Sequence, residues 1–306
     1  MAQLSAPKGT RDFYPEEIAM REHIFASWHA TCRRYGFEMV DAPMFEHLEV
    51  YTQKSGAEIE KQLYVFKDKG GRTLALRPEL TPSIARMVAA RGQSLKYPLR
   101  WYSIPRLFRY ERMQRGRLRE FYQLNMDILG IENTTADAEL IAAVVDMMRD
   151  LGFSADDFSV LVSSRNLLEE LFLASGIQKE RMASVYALLD KRHKIPQETY
   201  RAELTECIPQ ESVQKKIETI LDAKTLDDIG AIRNDIESFA QLKTLFDLIT
   251  AYRMDNFVTF DIGIVRGLAY YTGIVFEVFD KRRSLRAIAG GGRYDRLVAR
   301  YGGAPT

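Results

Sequence analysis

The stretch FRYERMQRGRLREFYQ, residues 108–123, sets Arg109, Arg112, Arg115, Arg117 and Arg119 among glutamate, glutamine and aromatic side chains. A guanidinium is a planar fork that grips carboxylate or phosphate oxygens in pairs, so this density suits the binding of an anion. Strand periodicity sharpens the reading. Arg109 and Glu111 share one face of a first strand, and Phe121, Gln123 and Asp127 share one face of a second. If both faces look the same way, Arg, Glu, Gln and Asp meet on one surface, and such a set needs a ligand or pairing when buried. A solvated sheet face laced with cross-strand ion pairs is the other reading, and the pattern leaves both open. Arg112, Arg115, Arg117 and Arg119 fall in the intervening loop, where solvent or a phosphate can take them.

Three further stretches hold groups that could do chemistry. RPELTPS places Arg77, Glu79 and Thr81 at a strand-to-helix junction, where free N–H groups could meet an anion and Glu79 could grip an ammonium. A plainly capped helix start is the alternative. DIGIVRGLAYYTG sets Arg266 before Gly267 and ahead of Tyr270 and Tyr271, a cation that could clamp a carboxylate or phosphate. AGGGRYDRLV is a glycine turn that permits close backbone approach, although such turns are also ordinary hairpin features. His23, His29, His47 and His193 show no ligand spacing, so no metal site is expected.

Several elements must position these groups. Pro15 to Tyr35 predicts a helix, with Pro15 in its first turn, Glu16 and Glu17 at the positive end and Gly36 at the stop; Ile18, Phe25, Trp28, Cys32 and Tyr35 form its core face. FEMVDAPMFEHLEVY reads as strand broken by Pro43, which belongs at a sheet edge, a bulge or an interface. LYVFKD and RTLALRPE form a hairpin about a KGG turn. Thr81 is expected to cap the next helix, with Pro82 at its first position. Trp101 to Glu111 and Glu120 to Leu129 read as strands around a charged loop, followed by a helix that ends at Gly152.

Residues 165–250 change character to periodic apolar and charged residues and read as a helical insertion of roughly 80 residues. The expected organisation is a core over 1–164, the insertion over 165–250 and a second part of the core over 251–306. The fold class is α+β, an antiparallel sheet with flanking helices interrupted by a helical module. The 306 residues carry a formal net charge of +1, so any nucleic-acid contact depends on local clusters. Cys32 and Cys207 stand apart, with no disulfide framework or zinc pattern. No secretory leader or membrane span is visible, and a cytoplasmic location is expected.

KGTRDFYPEE, RPELTPSIARMVA, FRYERMQRGRLREFYQ, RGLAYYTGIVFE and GGGRYDRLV, in this order, resemble the catalytic core of the histidyl-tRNA synthetase family, a class II aminoacyl-tRNA synthetase family. The resemblance spans nearly the whole chain and implies ATP-dependent joining of L-histidine to tRNA(His) by a homodimer. It implies that Arg109 meets the ATP α-phosphate and Glu111 the adenine amino group, with Arg117 also on the ATP side. Glu79, Thr81 and Gln123 are implied to hold the amino-acid ammonium and backbone. Asp127 and Tyr271, with neighbouring Tyr270, are implied to address the imidazole. Arg266 is implied to be a second catalytic cation, and Mg2+ is expected with ATP rather than on a protein motif. FEMVDAPMFE resembles the family's dimer-forming first signature.

Two departures stand out. Ala269 occupies a position that is acidic in the family motif RGLDYY. The family's third signature, with an ATP-binding arginine, and its anticodon-binding domain are not found in the stretch given, and the chain as given is expected to behave as an inactive fragment. A histidine-sensing regulatory subunit of ATP phosphoribosyltransferase shares this core and is the competing reading. Arg109, Glu111, Arg266 and the basic loop favour the ligase, and Ala269 leans toward the sensor. A nucleic-acid-binding scaffold is disfavoured by the near-zero net charge.

Overall fold

In the computed structural model, which describes residues 4–52, 61–114, 116–191, 195–264, 270–283 and 286–306, the chain divides into two units. The first comprises Met1–Ser154, Leu268–Tyr270 and Tyr294–Thr306; the second comprises Ala155–Gly267 and Tyr271–Arg293. The class is α+β.

The first unit begins with α1 (Pro15–Arg34), which starts at a proline, carries Glu16 and Glu17 in its first turn and stops before Gly36 at φ +72°. Then follow β1 (Glu38–Met39), β2 (Phe45–His47), α2 (Glu49–Thr52), β3 (Val65–Lys67), β4 (Thr73–Leu76) and α3 (Thr81–Arg91). After these come β5 (Leu99–Ser103), β6 (Arg106–Phe108), β7 (Glu120–Tyr122), β8 (Asn125–Leu129) and α4 (Thr135–Asp150). Strands β2, β4 and β3 pair antiparallel in that order, which realises the hairpin about the KGG turn. A second sheet has the order β1-β5-β8, with β1 and β5 parallel and β5 and β8 antiparallel.

Helices α1 and α4 are tied by polar bonds along their shared side. Tyr35 Oη donates to Asp146 at 2.8 Å, and Thr31 Oγ1 and Arg34 Nη2 both donate to Asp150 at 2.8 Å. Beneath them Cys32, Phe37 and Tyr102 are buried, with Leu124, Met126, Ile128 and Leu140 packed around them. Burial pushes the Cys32 thiol up to about 12, against the pull of the nearby Arg33 charge, which makes it an inert packing group. The core face expected for α1 is therefore narrower than its sequence pattern: Cys32 is buried, whereas Ile18, Phe25, Trp28 and Tyr35 are half-buried.

The two long strands expected on either side of the arginine loop are each broken. Pro105 has no N–H for the ladder, so the first run splits into β5 and β6, and Arg109 and Glu111 lie beyond the strand end. The second splits opposite it into β7 and β8, with Gln123 N donating to Pro105 O at 3.3 Å in the gap. Strands β6 and β7 pair on their own as a two-stranded ribbon.

The second unit contains β9 (Phe158–Ser164), α5 (Arg165–Ser175), α6 (Met182–Lys191), α7 (Gln197–Cys207), α8 (Glu211–Asp222), α9 (Leu226–Ile232), α10 (Glu237–Ala251), β10 (Val258–Phe260), β11 (Ile274–Asp280) and β12 (Ala289–Gly292). Its sheet order is β10-β9-β11-β12, with β10 and β9 parallel and the other pairs antiparallel. Every residue of β9 is buried, as expected of a strand paired on both sides. The Ser164 hydroxyl accepts from Leu167 N at 3.3 Å to start α5, and Gly176 ends it at φ +106°. Among the described residues no helix is long and apolar enough to cross a membrane.

Candidate active site

The segment between β4 and α3 is held by Arg77, the first charged residue of the RPELTPS stretch. Arg77 is buried; its Nε donates to Arg106 O at 3.0 Å, and its Nη1 donates to Ala42 O and Asp41 Oδ1, both at 2.7 Å. A guanidinium so occupied ties three backbone segments together rather than waiting for a ligand. Two residues on, Glu79 is only 5% exposed. Its Oε2 accepts from Tyr270 Oη at 2.7 Å, while Oε1 is buried with no hydrogen-bond partner among the described residues. Burial pushes this carboxyl up, and the Tyr270 bond and the nearby Arg109 charge pull it back. A carboxylate with one satisfied and one bare oxygen, in a dry setting, is a seat for a cationic donor.

Asp127 forms a second buried carboxylate. It stands in β8 opposite Trp101 of β5 and is 6% exposed. Tyr294 donates its hydroxyl to Asp127 Oδ1, the only hydrogen bond of that side chain among the described residues. Burial pushes the carboxyl up to about 6, against the pull of the Tyr294 bond. The rings of Tyr270 and Tyr294 meet edge to face with centroids 6.2 Å apart, so the two tyrosine–carboxylate pairs are neighbours in one cluster.

Arg109 adds the cation. Its Nε donates to Pro78 O at 2.8 Å, and the guanidinium lies 5.2 Å from the Phe121 ring centroid. Among the described residues its two terminal nitrogens make no hydrogen bond, which leaves that end of the fork for an anion. Glu111 and Arg117, both assigned to the ATP side, form an ion pair with each other. Arg117 thus folds back onto its own loop.

Arg119, expected to reach solvent or a phosphate, is half-buried. Arg119 stacks 4.0 Å from the Tyr110 ring centroid, and its Nε donates to Glu111 O at 3.3 Å. Its backbone N–H donates to Gly9 O at 2.8 Å. Gly9 is obligatory here: it sits at φ +90°, and an added Cβ would come within 2.6 Å of the Arg119 side chain. The KGTRDF segment therefore clasps the base of the arginine loop, a role its sequence does not announce.

The remaining expected residues have plain positions. Thr81 is buried as the first residue of α3, not its cap; the cap position falls on Leu80, with no side-chain bond. Gln123 is half-buried, with Nε2 donating to Asn125 Oδ1 at 2.9 Å. Tyr271 belongs to the second unit, where its ring lies against Gly292; a Cβ there would approach to 2.9 Å. Arg115, His193, Arg266, Gly267 and Ala269 lie outside the described residues. Sequence reasoning missed Tyr294, because GGGRYDRLV drew attention for its glycines. Among the described residues no three His, Cys, Asp or Glu side chains gather as a set that could hold a metal ion.

The first unit thus offers a bare carboxylate oxygen for an ammonium, a second buried carboxylate for another N–H donor, and the free end of an arginine. Comparison with known proteins agrees in kind. A family model described as histidyl-tRNA synthetase matches residues 9–306. The chain is similar to the chloroplastic/mitochondrial histidine–tRNA ligase of Arabidopsis thaliana, at 46% identity over 98% of this chain and 62% of that protein. It is similar to the histidine–tRNA ligase of Opitutus terrae, at 41% identity over 99% of this chain and 71% of that protein. It spans between those shares, about two thirds, of these relatives' length. The crystal structure of a histidyl-tRNA synthetase from a Nostoc species shares the fold, with a TM-score of 0.83 at 24% identity, over 98% of this chain and 71% of that one.

Proposed function

The chain belongs to the histidyl-tRNA synthetase family, and we propose that it is the catalytic core of an ATP-dependent histidine–tRNA ligase. The observation that carries the reading is Glu79 Oε1, buried and unpaired beside a second buried carboxylate and a half-free arginine. On this reading the amino-acid ammonium fills the bare Glu79 oxygen, with Thr81 and Gln123 on the backbone polar groups. Asp127 accepts from an imidazole N–H; a role for Tyr271 toward the ring is proposed on the family resemblance alone. The free end of Arg109 takes oxygens of the ATP α-phosphate, and Glu111 turns from Arg117 to the adenine amino group.

The chemistry then follows. A histidine carboxylate oxygen attacks the α-phosphorus, the bond from that phosphorus to the bridging oxygen breaks, and pyrophosphate leaves with the electron pair. Two anions must be brought together, so Arg109 contributes by positioning and by neutralising charge on the phosphate oxygens. Arg266 is proposed as the second such cation. A hydroxyl of tRNA(His) then attacks the acyl carbon of the histidyl-adenylate, the acyl–phosphate bond breaks, and AMP leaves. The ATP is taken as its Mg2+ salt, the ion being expected with the nucleotide.

Residues 165–250 are read as an insertion into the core, and the location as cytoplasmic. A homodimer is proposed through the sheet that carries β2 and β3. Phe45, Val65 and Phe66 there, with Met44 just before β2, are 40% to 51% exposed, and Phe45 and Phe66 meet edge to face. Pro43 lies between the short edge strands β1 and β2, which fits an interface more than a solvated loop. Histidine-dependent ATP–pyrophosphate exchange by the whole protein tests the ligase reading. Histidine binding without exchange would favour a sensor.

A further inference from the structure

We propose that Tyr294 is a positioning residue for amino-acid selection, holding Asp127 Oδ1 so that Oδ2 is presented to the ring N–H of the bound substrate. The inference rests on the histidine-ligase reading and extends it to a residue outside the expected site.

Three observations carry it. Asp127 is buried and takes its single described hydrogen bond from the Tyr294 hydroxyl, so among the described residues this tyrosine sets which way the carboxylate turns. Tyr294 is itself braced by the Tyr270 ring, at an interplanar angle of 88°. Tyr270 does the corresponding work on the other carboxylate, where its hydroxyl holds Glu79 Oε2 and leaves Oε1 bare. The two pairs thus repeat one device: a phenol satisfies one oxygen, and the other oxygen is left for a ligand donor. Glu79 addresses the group every amino acid carries, and Asp127 addresses the group that distinguishes histidine.

A buried acceptor that is left unpaired by the wrong ligand discriminates far more strongly than a methylene-sized difference in shape. Tyr294 should therefore govern selectivity, and Tyr270 affinity for any amino acid of similar shape. The discriminating probe is β-(2-thienyl)-L-alanine, close to histidine in shape but with no ring N–H. Titration calorimetry with both ligands on the wild type, Tyr294→Phe and Tyr270→Phe reads the assignment; each variant removes one oxygen and keeps its ring contact.

The wild type should prefer histidine, and Tyr294→Phe should lower that preference by about tenfold or more while the thienylalanine Kd stays within about twofold. Tyr270→Phe should weaken both ligands together and keep the preference. An unchanged preference in Tyr294→Phe, with normal histidine binding by the wild type, overturns the inference and leaves the ligase reading intact. Equal loss of both ligands in Tyr294→Phe also overturns it, because the tyrosine then merely supports the pocket. No histidine binding by folded wild type removes the ligase reading and the inference together.

Discussion

Replacing Asp127 by asparagine should make the protein more resistant to unfolding as pH rises, relative to wild type, even as it loses its ligand. The carboxyl is carried from its ordinary 3.8 to about 6 by burial in β8. The folded form therefore holds this proton more tightly than the unfolded chain does. Below about pH 3 both forms are protonated and the group contributes nothing. As pH rises through the folded value, the buried carboxylate ionises at a cost, and stability is lost. At about 1.4 kcal/mol per tenfold change, the displacement weakens the folded state by about 3 kcal/mol at neutral pH.

Asparagine does not titrate and can still accept from Tyr294, but its amide N–H2 lacks a partner, an offset of about 1–3 kcal/mol that does not vary with pH. The quantity to read is thus the swing in the stability difference, about 3 kcal/mol between about pH 3 and pH 7.5 in favour of the variant. Trp28 and Trp101 are the two tryptophans of the chain, and both fall in the first unit. Urea unfolding followed by tryptophan fluorescence therefore reports on the unit that contains Asp127. A difference that stays flat with pH, or that swings toward wild type, would refute the claim that Asp127 is strained by burial.

Three more outcomes follow from packing. Arg77→Met should cost about 3 kcal/mol in the same unfolding assay, since Ala42 O and Arg106 O each lose their guanidinium donor. Gly9→Ala forces a side chain into left-handed backbone against the Arg119 stem, and should cost about 1–2 kcal/mol and speed proteolytic cleavage in the 112–118 loop. Phe45→Glu should shift sedimentation of the whole protein toward monomer while leaving the melting temperature of the monomeric form unchanged, as Phe45 is 51% exposed.

Local signals were legible where chemistry acts over a few residues. Pro15 with Glu16 and Glu17 marks the start of α1, Gly36 and Gly152 mark stops at positive φ, and the KGG turn joins β3 and β4. Side-chain alternation failed near Pro105, because one missing donor ended the ladder and moved Arg109 and Glu111 off the strand. The parallel pairs β1–β5 and β9–β10 join segments far apart in sequence, and no short-range pattern encodes them.

The site shows the same division. Glu79, Asp127 and Arg109 could be selected by type and spacing, and the structure draws them into the cluster around Tyr270 and Tyr294. Arg77 and Glu79 look alike in sequence as charged residues of one motif, yet one is consumed by backbone carbonyls and the other keeps an oxygen bare. Only the path of neighbouring chain segments decides between those fates. Tyr294 and Gly9 escaped notice for that reason, since their partners Asp127 and Arg119 are distant in sequence.

The central claim is that the buried carboxylates Glu79 and Asp127 form a seat for histidine. Titration calorimetry of the protein with L-histidine, L-glutamine and L-lysine, on wild type and on Glu79→Gln, tests it most directly. Saturable binding of histidine alone, weakened at least tenfold by Glu79→Gln, is the predicted result. A folded sample that binds all three equally, or none, or whose histidine affinity is untouched by Glu79→Gln, would contradict it.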